Sequence, residues 1–181
     1  MEHLTNLASS IPDAAKDIRL NLQSVLGDGN LAEDQRLGIA LACAFVSRNQ
    51  GLLEAMLEDA ATLAPSWTED AKAAAALMAM NNVLYRFRHM IGKPGYSSMP
   101  ARLRMQRLSQ PQTSKLDFEL MCIAVSAIHG CEMCVRSHEH SLIEMGASEA
   151  QIFDAVRIGS VVYAAAIALE LEPQSSASES P

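Results

Sequence analysis

Nowhere in the 181 residues do Val, Ile, Thr and Tyr alternate with polar residues up to a tight hairpin turn, so a β-sheet has no raw material here. Val161–Val162–Tyr163 comes nearest, and the Ala-rich sequence after it pulls the segment back to helix. Ala, Leu, Met and Glu dominate while aromatic residues make up 4%, a composition that favours helix throughout. The chain therefore reads as all-α.

Apolar periodicity and capping residues divide it. Ala14, Ile18, Leu22 and Val25 form one stripe over a helix from Asp13 to Val25. Asp28–Gly29–Asn30 is a turn, and helices follow from Ala32 to Arg48 and from Leu52 to Leu63, the second ending before Pro65. Ser66 with Glu69 is a capping-box pattern opening a long helix to about His89. Pro94, Gly95, Pro100 and Pro111 break the next stretch, leaving one short helix from Arg102 to Leu108. Ser114 N-caps a helix from Lys115 to Ile128, which Gly130 ends. A further helix from Cys131 to Met145 stops at Gly146, and Ser148 with Gln151 caps the last, which reaches about Leu171. The Ser-rich tail, residues 173–181, reads as disordered.

The order of elements suggests two related halves, each a helical hairpin plus a long helix. Gln35 to Leu57 is helix, break and helix, and Phe118 to Ile143 repeats that order. In this register Ser47–Arg48 stands where the second half has Gly130–Cys131. The expected organisation is a single domain over residues 1–172, with a structural half at about 1–91, a linker at about 92–113 and a redox half at about 114–172.

Charge and cysteine usage exclude several functions. Lys plus Arg number 14 and Asp plus Glu 21, a net charge of −7, so the basic field that phosphate backbones require is missing and nucleic acid is not an expected partner. Four cysteines are too few for a disulfide scaffold. No uninterrupted apolar run reaches the ~18 residues of a membrane span; Ile158 to Leu171 is broken by Gly159 and Ser160. The N-terminus lacks the basic and apolar regions of a secretory signal, so a cytoplasmic location is expected. There a close cysteine pair points to catalysis or metal binding.

The pair is Cys131-x-x-Cys134, with His138 four residues further on. A helix turns about 100° and rises about 1.5 Å per residue, so Cys134 and His138 fall at about 300° and 340° from Cys131, on one face. His138 is one turn from Cys134 and is placed to act on it. A helix N-terminus and a neighbouring imidazole both favour the thiolate, the reactive form of cysteine. Two sulfurs one turn apart can also close a disulfide and so store two electrons. If Gly130 marks a hairpin, Glu119 on the preceding helix stands level with His138, and its neighbours Phe118, Leu120, Met121 and Cys122 would desolvate it. The expected proton relay runs Glu119, His138, Cys134.

Zinc is disfavoured because Cys131, Cys134 and His138 share one face while His140 points away, so one straight helix cannot close a tetrahedron. Cys43 and Cys122 sit in apolar stretches and read as core, His129 reads as a turn residue, and His3, His89 and His140 receive no role. Met78, Met80 and Met99 read as adaptable core or subunit contact. Arg102, Arg104 and Arg107 read as a solvated basic cluster. Two Asn inside the Ala-rich helix, Asn81 and Asn82, mark a segment that packs beside the site or at an interface.

The pattern of Glu119, eleven intervening residues, Cys131-x-x-Cys134, three residues and His138 resembles the alkylhydroperoxidase D (AhpD) family, within the carboxymuconolactone decarboxylase-like superfamily. The likeness extends to Ala15–Leu22, Met80–Arg86, Phe118–Leu120 and Ala124–Ile128. It implies a helical homo-oligomer, a homotrimer or a multiple of it, that reduces hydroperoxides with a dithiol and needs no bound cofactor. It also implies reduction of the peroxiredoxin AhpC. The electrons would come from a dihydrolipoyl group on a 2-oxoacid dehydrogenase component, served by lipoamide dehydrogenase. By position, Cys134 is implied to react with peroxide through a sulfenic acid. Cys131 is implied to be the more exposed sulfur, which resolves that acid, serves as proton donor and forms the mixed disulfide with a partner. Glu119 and His138 are implied to relay protons. Met133 departs from those relatives that carry His at this place. A decarboxylase of the wider superfamily, or a redox adaptor without significant peroxidase turnover, are the alternatives.

Overall fold

The computed structural model describes residues 1–171. The tail expected to be disordered lies outside them. Among the described residues there are ten α-helices and two 3₁₀ turns, Asp13–Ala15 and Ala60–Thr62, and no strand. The helices are α1 (Glu2–Ala8), α2 (Lys16–Gly27), α3 (Glu33–Ser47), α4 (Gln50–Asp59), α5 (Pro65–Ile91), α6 (Pro94–Ser98), α7 (Gln106–Ser109), α8 (Lys115–Ile128), α9 (Glu132–Glu144) and α10 (Glu149–Leu169).

The centre is the pair α3 and α8. Ile39 to Ala44 on one and Phe118 to Ser126 on the other are buried almost without remainder. Each large apolar side chain enclosed this way contributes roughly 1.5–3 kcal/mol. The long helices straddle the pair: α5 packs on α3 and α8, and α10 packs on α8, α3 and α2. Gly38 permits this closeness, since a Cβ there would lie 2.5 Å from Trp67 and 2.9 Å from Met121.

Several local expectations shift for physical reasons. No helix is predicted before Asp13, yet α1 forms because the buried carboxylate of Asp59 accepts hydrogen bonds from the His3 and Leu4 amides (3.1 and 2.9 Å). These are two of the orphan donors of a helix start. Pro65 at the first helical position opens α5, and the Ser66–Glu69 capping box is not the start. The linker helix begins at Gln106 rather than Arg102, because Arg102 takes a left-handed φ of 53° that no α-helix can include. α10 spans 21 residues with a mean hydropathy of 1.7 in its most apolar window, long and apolar enough to cross a bilayer by those measures. Half of that window is buried in the protein, and packing on α8, α3 and α2 accounts for its apolar character.

The turns of the two hairpins share a backbone pattern, with the register displaced one residue from the expected one. Arg48 ends α3 with φ 63°, and Gly130 follows α8 with φ 64°. Next come the N-caps of the short helices: Asn49 at φ −91° for α4 and Cys131 at φ −92° for α9. So Arg48–Asn49, not Ser47–Arg48, takes the place of Gly130–Cys131. Counting on from there, Leu52 and Met56 stand where the second half has Cys134 and His138, and Leu37 where it has Glu119. All three are buried and apolar.

Reciprocal contacts tie the halves together. At the start of α3 and α8, Gln35 Nε2 donates to Asp117 Oδ1 (2.7 Å). Asp70, early in α5, accepts from the Gln112 and Thr113 amides just before α8 (2.8 and 2.6 Å). Asp154, early in α10, accepts from the Asn30 amide and side chain before α3 (both 2.8 Å). Each long helix thus fastens the loop that begins the other half.

Candidate functional site

The turn that presents the cysteines is built by backbone hydrogen bonds. α8 ends with Gly130 N–H donating to the Ala127 carbonyl (3.0 Å) and Cys131 N–H donating to the Ser126 carbonyl (3.2 Å). This is a Schellman closure, which needs the left-handed residue that Gly130 supplies. Cys131 is therefore the last residue tied to α8 and the N-cap of α9, rather than a residue inside α9. Cys134 follows in the first helical turn.

α5 braces this turn. Ser126 Oγ donates to Asn82 Oδ1 (3.1 Å), and Asn82 Nδ2 donates to His129 Nδ1 (3.0 Å). With Nδ1 accepting, the other ring nitrogen of the neutral imidazole carries the proton. Burial first, and then the Arg86 charge, hold the His129 imidazole below the usual histidine range, and the Met78 backbone offsets part of that. Arg86 Nη1 also donates to the His129 carbonyl. The Asn-rich segment thus packs beside the site.

Cys131 and Cys134 are joined as a disulfide, with Cα atoms 5.3 Å apart. His138 Nδ1–H donates to Glu119 Oε2 at 2.6 Å. Both side chains are largely enclosed, at 12% and 9% exposure. The hairpin count that placed Glu119 level with His138 thus matches the fold. His138 Nε2 lies 3.2 Å from Met78 Sδ. A thioether can accept a hydrogen bond and never donate one, so a proton on Nε2 is satisfied and a bare lone pair there is free to act as a base.

Cys134 and His138 face a common cavity of about 290 Å³. Asn81 and Tyr85 of α5, Met105, Leu108 of α7, and Met133 and Ser137 of α9 complete its walls. The exposed Met133 sits at its edge. The α5 wall comes from the asparagine segment singled out in the sequence, whereas the α7 wall had no counterpart there. The further signal for the α5 wall is that Met78, Asn81 and Tyr85 recur at helical spacing on the α5 face turned to α9.

One expectation is corrected. Cys131 is not the more exposed sulfur: it is 0% exposed, and Cys134 is 7%. Cys131 lies in the crevice where α8 hands over to α9, and the Arg86 contact and the His89–Glu132 contact (3.2 Å) draw α5 across that turn. The basic cluster is also partly corrected, since Arg107 is paired with the buried Asp70 (2.9 Å). Cys43 and Cys122 are buried. Burial pushes the Cys43 thiol up, and burial followed by the charges of Glu119 and Asp70 pushes Cys122 up, so both are inert.

Fold and site together define a helical protein with a dithiol–disulfide centre, backed by a buried histidine–carboxylate pair. A model of the carboxymuconolactone decarboxylase family matches residues 94–171. The chain is 59% identical over 172 residues to the alkyl hydroperoxide reductase AhpD of Anaeromyxobacter dehalogenans strain 2CP-C, covering 94% of this chain and 92% of that protein. It is 47% identical over 168 residues to the protein of the same name from Methylocella silvestris, covering 92% and 94%. It is 46% identical over 168 residues to that from Brucella abortus strain 2308, covering 92% and 96%. The chain belongs to the alkyl hydroperoxide reductase AhpD family.

Proposed function

We propose that the protein reduces alkyl hydroperoxides at Cys134. The observation that carries this reading is the shared cavity: Cys134 and His138 line it together, and Glu119 holds the far side of the imidazole. In the reduced protein the Cys134 thiolate, favoured by its place in the first turn of α9, attacks the hydroxyl-bearing oxygen of ROOH. The O–O bond breaks, an S–O bond forms, and His138 returns a proton to RO⁻, giving ROH and Cys134–SOH. Cys131 then attacks the Cys134 sulfur, and hydroxide leaves with the Cys131 proton as water. The product is the Cys131–Cys134 disulfide.

An external dithiol resets the disulfide by exchange. A dihydrolipoyl group on a 2-oxoacid dehydrogenase component, kept reduced by lipoamide dehydrogenase, fills that role in this reading. AhpC is the protein partner that receives electrons, which the name of the relatives supports. No bound cofactor takes part. The resemblance puts the mixed disulfide on Cys131, but that sulfur is enclosed and the Gly130 turn would have to open first. Cys134 meets the cavity directly. The exposed apolar residues Val83, Phe87 and Met90 along the end of α5 support assembly into a homo-oligomer, a trimer in this reading, in the cytoplasm.

The test is a steady-state assay with an organic hydroperoxide and dihydrolipoamide, with and without AhpC. The wild type consumes peroxide and Cys134→Ser does not. Full consumption by Cys134→Ser refutes the assignment, and turnover that appears solely with AhpC identifies an adaptor. Activity indifferent to thiol alkylation points to a decarboxylase of the wider superfamily.

A further inference from the structure

Two asparagines stand side by side in α5, and they are used differently. Asn82 is consumed by the turn, bonded to both Ser126 and His129. Asn81 is 5% exposed and lines the cavity that Cys134 and His138 share. Among the described residues, its Oδ1 is the one buried side-chain nitrogen or oxygen with no hydrogen-bond partner. An unmet buried amide oxygen destabilises a fold, and an isosteric apolar side chain would avoid the cost. Asn81 sits one turn from Met78, the residue that faces His138, on the same side of α5.

The Asn81 oxygen lacks a donor and Asn81 lines the cavity, so a turn about its last side-chain torsion brings that oxygen to a donor entering there. Two hydroxyls, of Tyr85 and Ser137, also line the cavity and neither bonds to the Asn81 oxygen in this structure, while Met105, Leu108 and Met133 are hydrocarbon and thioether and offer no donor. A hydroperoxide brings one O–H, carried on the oxygen that the thiolate must attack. We propose that Asn81 is a substrate-binding residue whose amide oxygen accepts the hydrogen bond of the hydroperoxide O–H. It thereby holds the terminal oxygen toward Cys134 while the alkyl group lies against Met105 and Leu108. This rests on the peroxidase reading above and adds a residue to it. The bond balance is unchanged: Asn81 gains and loses no proton, the hydrogen it accepts stays with the oxygen that becomes Cys134–SOH, and His138 still supplies the proton for RO⁻. Oriented this way the O–O axis presents its terminal end to the sulfur, a positioning gain rather than a chemical one.

The test uses the full-length reduced protein and Asn81→Leu, which keeps the shape and removes the acceptor. Two rates are followed: oxidation by cumene hydroperoxide, and alkylation of Cys134 by iodoacetamide, which has no peroxide hydrogen to offer. Peroxide oxidation is expected to slow about tenfold, the worth of one hydrogen bond in the transition state, while alkylation stays within about twofold. The melting temperature is expected to hold or rise, because the variant removes an unmet polar atom; a structural asparagine would instead lower it. Peroxide oxidation at the wild-type rate overturns the proposal, as does an equal fall in both rates, which would mean that Asn81 acts on the thiol. If the unsubstituted protein is alkylated but never oxidised by hydroperoxide, the peroxidase reading itself falls, and the assignment of Asn81 with it.

Discussion

Replacing Asp70 with Ala should be the most damaging single change outside the redox centre. Its carboxylate is fully buried and accepts from the Gln112 amide, the Thr113 amide and hydroxyl (2.8, 2.6 and 2.7 Å) and from Arg107 Nε (3.0 Å). Truncation leaves a guanidinium and two amides without their acceptor. Breaking one side of a buried ion pair costs about 3–5 kcal/mol, and part of the loss is recovered where water reaches the half-exposed loop. About 4 kcal/mol, at 2–4 °C per kcal/mol for a chain of this size, lowers the melting point by roughly 8–16 °C. Asp70→Asn keeps an acceptor but not the charge and should lose about half as much. The pH dependence follows from the carboxyl itself. Burial raises its pKa, but the bonds from Thr113 and Gln112 and the Arg107 charge outweigh burial and leave it below the usual carboxylate range. A depressed folded value means stability that is fully present above the unfolded value of about 3.9 and is lost as pH falls through the lower, folded one. Thermal melts of both variants against wild type, followed by circular dichroism from pH 7 to pH 3, check this. The gap should stay constant from pH 7 to about pH 5 and narrow below about pH 4. A melting point within about 2 °C of wild type at pH 7, or a gap that closes above pH 5, refutes the reasoning.

Glu119→Gln should lower the rate of hydroperoxide oxidation on the order of 10²-fold while circular dichroism stays native, since the amide keeps the shape but not the charge behind His138; an unchanged pH–rate profile removes Glu119 from the relay. Gly130→Ala should cost about 1–2 kcal/mol by strain alone, because its φ of 64° suits glycine and no atom lies within 4 Å of the added Cβ. Arg48→Gly, at the equivalent left-handed position, should gain about as much, and a pair of thermal melts in which both variants shift the same way would contradict the correspondence of the halves.

The redox residues were legible because their geometry is local. Cys131, Cys134 and His138 lie within one helix and its cap, and Glu119 is reached by counting back across a single hairpin. What stayed illegible is what tertiary packing brings from elsewhere. Asn81 marked a segment lying at the site or at an interface without deciding between them, Met78 reaches the site from the same helix, and Met105 and Leu108 reach it from a proline-broken segment whose path no periodicity describes. Asp70 and Asp154 look like ordinary helix-surface carboxylates in sequence, because their partners are amides of loops far along the chain. The Ser66 capping box was outcompeted by Pro65, whose fixed φ suits the first helical position. The internal register slipped by one because composition cannot reveal that an arginine has adopted the backbone of a glycine. Burial of Cys131 depends on α5 lying over the turn, which the spacing of the motif does not encode.

The hairpin in the first half matches that in the second in backbone and differs in cargo, Leu37, Leu52 and Met56 against Glu119, Cys134 and His138. The molecule thus contains its own oily reference copy. One copy gives up hydrocarbon for a carboxylate and an imidazole that must be kept dry, and the other is free to act as ballast. The difference in amide exchange between α4 and α9 in a single sample therefore measures how much rigidity the chemistry has taken from the fold.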